Sequence, residues 1–358
     1  MQKPPPVRGR GSSFNPINRF ENVELVPEPP DDIDEVSSPI TQFLSDSSKT
    51  IIAFNDSPDV GFDASVNPYR GCEHGCIYCY ARPTHEYLGF SAGLDFETKI
   101  MVKEQAPELL RRELASPKWK PKVLAMSGVT DCYQPVEKKR RLTRRCLEVL
   151  LEFRNPVVIV TKNALVTRDI DVLSELTRYQ CAAVFISLTT LDTKLSSSME
   201  PRASRPARRL AVITALSQAN IPVGFLLAPM IPGLTDSEAP AIVQAAAGAG
   251  AGFGGYVPLR LPHAVKKLFE TWLEDHYPEK KQKILNRIRA IRGGKLNDAN
   301  FGSRMKGEGI FAEQMRDLFQ LACKKAGIHE RYPNLTTENF RSISSSQLGL
   351  FEGSASHS

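Results

Sequence analysis

Short apolar runs alternate with longer amphipathic stretches through the middle of this chain, and no other feature narrows its possible folds as much. Residues 122–127 (KVLAMS), 157–161 (VVIVT), 183–188 (AVFISL), 223–228 (VGFLLA) and 256–259 (YVPL) are compact and bounded by turns, as strands buried on both faces require. Residues 105–115, 136–153, 168–179, 206–219 and 236–247 repeat apolar side chains near i, i+3, i+4 and i+7, with Asp236 placed to cap the last stretch. A first strand is expected near residues 64–67. Repeated strand–helix units predict an α/β fold with a parallel sheet, an open, partial (β/α)6 barrel. Ligands of such folds bind at the carboxyl ends of the strands. That rule singles out residues 127–131, Thr161 with Lys162, Ser187, and residues 228–233.

The flanks read differently. Residues 1–50 carry Pro4, Pro5 and Pro6, then Pro27, Pro29 and Pro30 with Asp31 and Asp32, and show little apolar periodicity, so a disordered arm is expected. The core is expected over 51–292, a helical extension over 293–335, and a Ser-rich flexible tail over 336–358. The 358 residues, 41% hydrophobic and 24% charged, suffice for one large core. No apolar stretch approaches the length of a membrane span, and the first ten residues lack the apolar segment of a signal peptide. With seven scattered cysteines, this predicts a cytoplasmic protein with no membrane partner. The net charge of +6 is compatible with a polyanionic substrate without requiring one.

The run G-C-E-H-G-C-I-Y-C-Y-A-R over residues 71–82 places Cys72, Cys76 and Cys79 at x3 and x2 spacing. Three thiolates so close can hold three irons of a [4Fe-4S] cluster, leaving the fourth iron open to a small molecule. A structural zinc site is the alternative, since His74 could complete a Cys3His set. Zinc knuckles, however, take four ligands and usually paired short cysteine spacings.

These residues resemble the radical S-adenosylmethionine (SAM) superfamily, and within it the spore photoproduct lyase-like group, also called DNA repair photolyases. The resemblance runs from about Arg8 to Ile328 and rests on residues 67–87, on T-D-C-Y-Q-P-V-E (130–137), M-E-P-R-A-S (199–204), A-P-M-I-P-G-L-T-D (228–236) and F-G-S-R-M-K-G-E-G (301–309). It implies that SAM chelates the open iron and is cleaved reductively to a 5′-deoxyadenosyl radical, with an external one-electron reductant. By the same resemblance Tyr78 lies against the adenine, and Lys162 and Ser187 bind the SAM carboxylate and ribose. Thr130 and Asp131 lie where the superfamily contacts the methionyl amino group, although Asp131 could equally cap the following helix. Ile231 and Gly233 fit the backbone that meets the adenine. Glu200 and Arg202 are either ribose or phosphate contacts or a structural ion pair. Tyr80 and Cys132 are candidate hydrogen donors; the lyase cysteine itself maps closer to Gly128.

Basic residues cluster at Lys138, Lys139, Arg140, Arg141, Arg144 and Arg145, at Arg202, Arg205, Arg208 and Arg209, and over 280–292. The first two clusters begin beside the proposed site loops and are candidate phosphate contacts. In the tail, Gln347, Leu348, Gly349, Leu350 and Phe351 resemble the peptide by which proteins bind the bacterial sliding clamp, while a lid folded onto the barrel is the other reading. The chain thus reads as a radical SAM enzyme acting on DNA, in repair or base modification. Modification of tRNA, rRNA or a protein side chain is the alternative, and a noncatalytic iron–sulfur protein at the clamp a third.

Overall fold

The computed structural model of the chain describes residues 7–21, 39–329 and 332–343. Among the described residues there are ten strands: β1 (Gln42–Ser45), β2 (Ile52–Phe54), β3 (Ala64–Val66), β4 (Tyr69–Arg70), β5 (Lys99–Val102), β6 (Leu124–Met126), β7 (Val157–Thr161), β8 (Ala182–Ser187), β9 (Val223–Met230) and β10 (Phe253–Pro258). A seven-stranded sheet runs β10-β9-β8-β7-β6-β3-β2. From β3 to β10 its six core strands are parallel, and β2 closes the edge antiparallel to β3. This is the expected open (β/α)6 arrangement. A small sheet, β1-β5-β4, lies beside the cysteine loop.

The expected helices form as Ala106–Leu114, Leu142–Phe153, Ile170–Arg178, Pro206–Gln218 and Ala239–Gly248. Leu147, Leu150, Leu173, Leu176, Ile213 and Ile242 point from them into the main core and are fully buried. Each such side chain contributes roughly 1.5–3 kcal/mol by leaving water. β10 begins earlier than its apolar residues suggest, because Gly254 and Gly255 hide the strand from an apolar count. The single helix expected over 136–153 is broken at Arg141, whose φ is 55°. Buried Glu137 is the cause: its carboxylate accepts Tyr69 Oη (2.5 Å) and the Thr143 amide (3.0 Å), so it caps a new helix start.

Parts of the arm expected to be disordered are ordered against the core. Gly11 and Ser12 donate their amides to Glu97 at 3.0 and 2.9 Å, and Asn18 Nδ2 donates to the carbonyls of Glu86 and Phe90 at 3.0 Å. β1 pairs in parallel with β5. Long-range polar partners, which composition does not report, offset the ordering entropy here. At the other end, Phe340 stacks on Phe153 with centroids 6.1 Å apart and the Arg341 amide donates to Phe153 O at 2.8 Å, where a flexible tail was expected. The clamp-like motif, Gln347 to Phe351, lies outside the described residues. Helix Ile310–Ala326 adds Met315 and Phe319 to the main core. No helix among the described residues is long and apolar enough to cross a membrane.

Candidate cofactor site at the strand ends

The cysteine loop leaves β4 and is held from three sides. On one side Thr130 Oγ1 donates to Gly71 O (2.6 Å), Gln134 accepts the Glu73 amide (2.9 Å), and Glu73 accepts the Val136 amide (2.7 Å). On a second, the Ile77 amide donates to Met199 O and the Arg202 amide to His74 O, at 3.0 and 3.3 Å. From behind, the fully buried Arg82 donates to the carbonyls of Cys76 (3.0 Å), Gly75 (3.2 Å), Ala92 (3.1 Å) and Gly93 (2.9 Å). Its charge is met by buried Glu97 at 2.5 Å. Gly75 has φ +66°, and a Cβ there would sit 2.6 Å from Glu97 Oε2, so the turn accepts only glycine.

Cys72 and Cys76 are buried and Cys79 is partly so. Burial, then the charge of Glu200, pushes the Cys76 thiol up to about 12, and burial raises Cys72 and Cys79 as well. Such thiols become thiolates when a cation takes the proton's place. Among the described residues no three His, Cys, Asp or Glu side chains converge as a single ion would require. His74 is not free to complete a zinc set: its Nδ1 lies 3.3 Å from Asp131 and its Nε2 3.0 Å from Asn163 Nδ2. The donor set fits a multinuclear cluster held by Cys72, Cys76 and Cys79.

Around this loop the strand ends bring together most of the expected cofactor residues. Asp131 is a hub, accepting the Lys162 amide (2.8 Å), Thr161 Oγ1 (2.8 Å) and the Tyr133 amide (2.9 Å) beside His74. Burial would raise its carboxyl, but His74 and these donors hold it at about 2. It caps no helix. Lys162 turns its Nζ toward the Tyr78 ring, 5.9 Å from the centroid. Tyr78 is buried and its hydroxyl donates to Glu200, with Thr189 Oγ1 at 3.2 Å. Ser187 is buried at the end of β8, its carbonyl accepting Arg209 Nη1 at 3.0 Å. Ile231 is fully buried, its amide donating to Thr235 Oγ1 at 2.9 Å, and Gly233 follows with φ +79°. Tyr80 is 51% exposed, and its hydroxyl donates to Gly128 O at 2.7 Å, tying the loop to the end of β6.

Other expectations are corrected. Cys132 is fully buried in the main core with Tyr133 and Cys146, so it does not serve as a donor at the barrel mouth; burial makes it a small apolar side chain. Glu200 forms a buried ion pair with Arg209, and Arg202 pairs with Glu73 at 3.0 Å, so both are structural. Three of the six residues of the first basic cluster are neutralised: Arg140 meets Glu104 at 2.9 Å, Arg145 meets Glu108 at 2.5 Å, and Arg144 meets Glu148 and Asp171 at 2.7 Å. Sequence reasoning missed Arg82, Glu97 and Gln134. Arg82 belongs to the cysteine motif, but the four carbonyls it clamps meet only after folding.

A partial parallel barrel carrying a three-cysteine loop at its strand ends defines a class, and comparison assigns the family. A family model described as the radical SAM superfamily matches residues 66–246. An uncharacterized protein of Mycobacterium tuberculosis is 36% identical over 232 residues, covering 63% of this chain and 68% of that protein. An uncharacterized protein of Methanocaldococcus jannaschii is 27% identical over 223 residues, covering 62% and 79%. The chain belongs to the radical SAM superfamily, whose enzymes use a [4Fe-4S] cluster and SAM. Spore photoproduct lyase, solved in complex with a dinucleoside spore photoproduct, shares the fold with a TM-score of 0.57 over 80% of each chain at 16% identity.

Proposed function

We propose that this radical SAM enzyme abstracts hydrogen from a nucleic acid, with DNA as substrate, in repair or base modification within the cytoplasm. The observation that carries the reading is the position of Tyr80. It follows the third cluster cysteine directly, stands half exposed at the mouth, and is steadied by Gly128 O. An exposed ring there offers a stacking surface to a base brought beside the cofactor. The likeness in fold to a lyase solved with a dinucleoside lesion supports the same substrate class.

When bound, cluster and SAM supply one-electron cleavage of SAM to a 5′-deoxyadenosyl radical. Cys72, Cys76 and Cys79 would hold the irons. Lys162, its ammonium free of the backbone contacts that fix its main chain, supplies a point charge for the SAM carboxylate. Ser187 and the backbone at Ile231 and Gly233 line the nucleoside end. Thr130 and Asp131 act through the loop: their oxygens are engaged by protein donors and acceptors, so they orient Gly71, His74 and Lys162. Tyr80 carries a phenolic hydrogen at the substrate side and is the candidate donor of a hydrogen atom to the substrate radical, its own phenoxyl radical being restored by an electron from the external reductant and a proton from solvent.

The tail motif adds a partner to this reading, the bacterial sliding clamp, which would deliver the enzyme to DNA being copied or repaired; the electron comes from an external reductant. The test of substrate class is turnover of the reconstituted, reduced enzyme with SAM and either DNA or tRNA, followed by mass spectrometry of the nucleosides. A new or missing nucleoside in DNA is expected; a change confined to tRNA, or 5′-deoxyadenosine formation stimulated only by peptide, would overturn the DNA reading.

A further inference from the structure

Arg260 differs from the other arginines packed around the site. Arg82, Arg209 and Arg304 each meet a carboxylate, from Glu97, Glu200 and Asp59. Arg292, though its Nε is unpartnered, donates to four carbonyl oxygens, those of Ser303, Arg304, Pro258 and Leu259. Arg260, two residues beyond β10, makes no ion pair among the described residues. Its Nη1 contacts the Met305 thioether, a weak acceptor, at 3.2 Å, and its Nε is buried without a hydrogen-bond partner. Burial, then the nearby charge of Arg304, lowers its pKa from the ordinary value. A guanidinium does not lose its proton in such a place, and Asp59, whose charge also reaches Arg260, is already gripped by Arg304, so the local balance stays positive and accommodates an anion.

The surroundings say which anion. The guanidinium carbon of Arg260 lies 5.7 Å from the centroid of the Tyr80 ring, so the cation sits beside the half-exposed aromatic next to Cys79. Arg304, itself paired with Asp59, lies nearby over the exposed ring of Phe301 at 4.5 Å. Cations interleaved with exposed rings match a strand of alternating phosphates and bases. A planar fork with vacant donors suits the paired oxygens of a phosphate.

We propose that Arg260 binds a backbone phosphate of the nucleic-acid strand at the barrel mouth, with the neighbouring base stacked on Tyr80. The proposal rests on the nucleic-acid reading above and specifies which side chain receives the strand.

The experiment compares the native enzyme with Arg260→Gln and Arg260→Lys, using short single-stranded DNA and RNA of one sequence across a salt series, with SAM affinity, iron content and melting temperature measured in parallel. Arg260→Gln is expected to weaken oligonucleotide binding at least tenfold and to flatten the log–log salt slope by about 0.7, one phosphate contact on a single strand. SAM affinity and iron content stay unchanged. Arg260→Lys keeps the slope but loses affinity with the fork geometry, and it carries the test if the Gln variant does not fold. Oligonucleotide binding indifferent to both variants, or a defect confined to SAM, overturns the phosphate site while leaving the DNA reading in place. Arg260-dependent binding of RNA alone keeps the site and overturns the DNA reading. Failure of the native enzyme to bind either strand overturns both.

Discussion

Lys162 is fixed through its backbone, its amide on Asp131 at 2.8 Å and its carbonyl receiving the Ser204 amide at 3.2 Å, which leaves the ammonium as the group that can act. A charged hydrogen bond contributes ~1.5–3 kcal/mol, so Lys162→Ala should lower SAM affinity by roughly tenfold to a hundredfold at unchanged iron content. Calorimetric titration of SAM checks this, and equal affinity would remove Lys162 from the cofactor site. Glu200 makes a different kind of prediction. Burial alone would raise its carboxyl, but Arg209 and Lys162 hold it at about 2. Because the folded value lies below the unfolded one of about 4.3, the stabilisation is complete above pH ~4.3 and is lost as pH falls toward 2. Glu200→Gln leaves Arg209 buried without its partner, a loss of about 3–5 kcal/mol. The melting temperature of this variant should therefore lie well below that of the native chain at neutral pH, with the gap narrowing below pH 4. A gap that is constant with pH would show that the carboxylate charge is not what matters.

The strap formed by residues 7–21 is the element whose role is least apparent from composition. Gly11 passes so close to the cysteine loop that a Cβ on it would lie 1.8 Å from Gly75 O, while its amide and that of Ser12 satisfy Glu97, the counter-charge of Arg82. The strap, Glu97 and Arg82 thus form one stack behind Gly75 and Cys76. Gly11→Ala should displace the strap, lower the iron retained per chain and speed its removal by a chelator. Gly61→Ala, where a Cβ meets nothing within 4 Å, serves as the control and should leave both unchanged. Equal iron retention in the two variants would reduce the strap to a passive cover. The helix break at Arg141 carries the same lesson: Glu137 reads as one more polar residue in an amphipathic run, and only Tyr69, 68 positions away, reveals it as a buried cap.

At the scale of the whole molecule, the open sheet is fastened across its mouth. Arg304 grips Asp59 at 2.8 and 2.6 Å, and Gly302 donates its amide to the same carboxylate at 2.9 Å, joining the β2–β3 loop at one edge to the segment that follows β10 at the other. The proposed clamp partner makes a prediction at the same scale. A peptide spanning Ser344 to Gly353 and the full chain should both bind the bacterial sliding clamp with micromolar affinity, since two large apolar side chains contribute roughly 3–6 kcal/mol before ordering costs. Leu350→Ala with Phe351→Ala should abolish binding without altering SAM cleavage; the absence of saturable binding in calorimetry would return the motif to the lid reading. The sequence by itself determined the six parallel strands, the five helices between them and the three-cysteine loop, because apolar periodicity and cysteine spacing are local and survive in one dimension. Only the tertiary structure decided that Cys132 faces the core, that Arg140, Arg144 and Arg145 of the basic run are met by acids such as Glu104, Glu108 and Asp171, and that Arg260 makes no ion pair among the described residues. Charge balance and access depend on residues brought together from distant parts of the chain when the sheet closes, and no local pattern encodes which charges will meet.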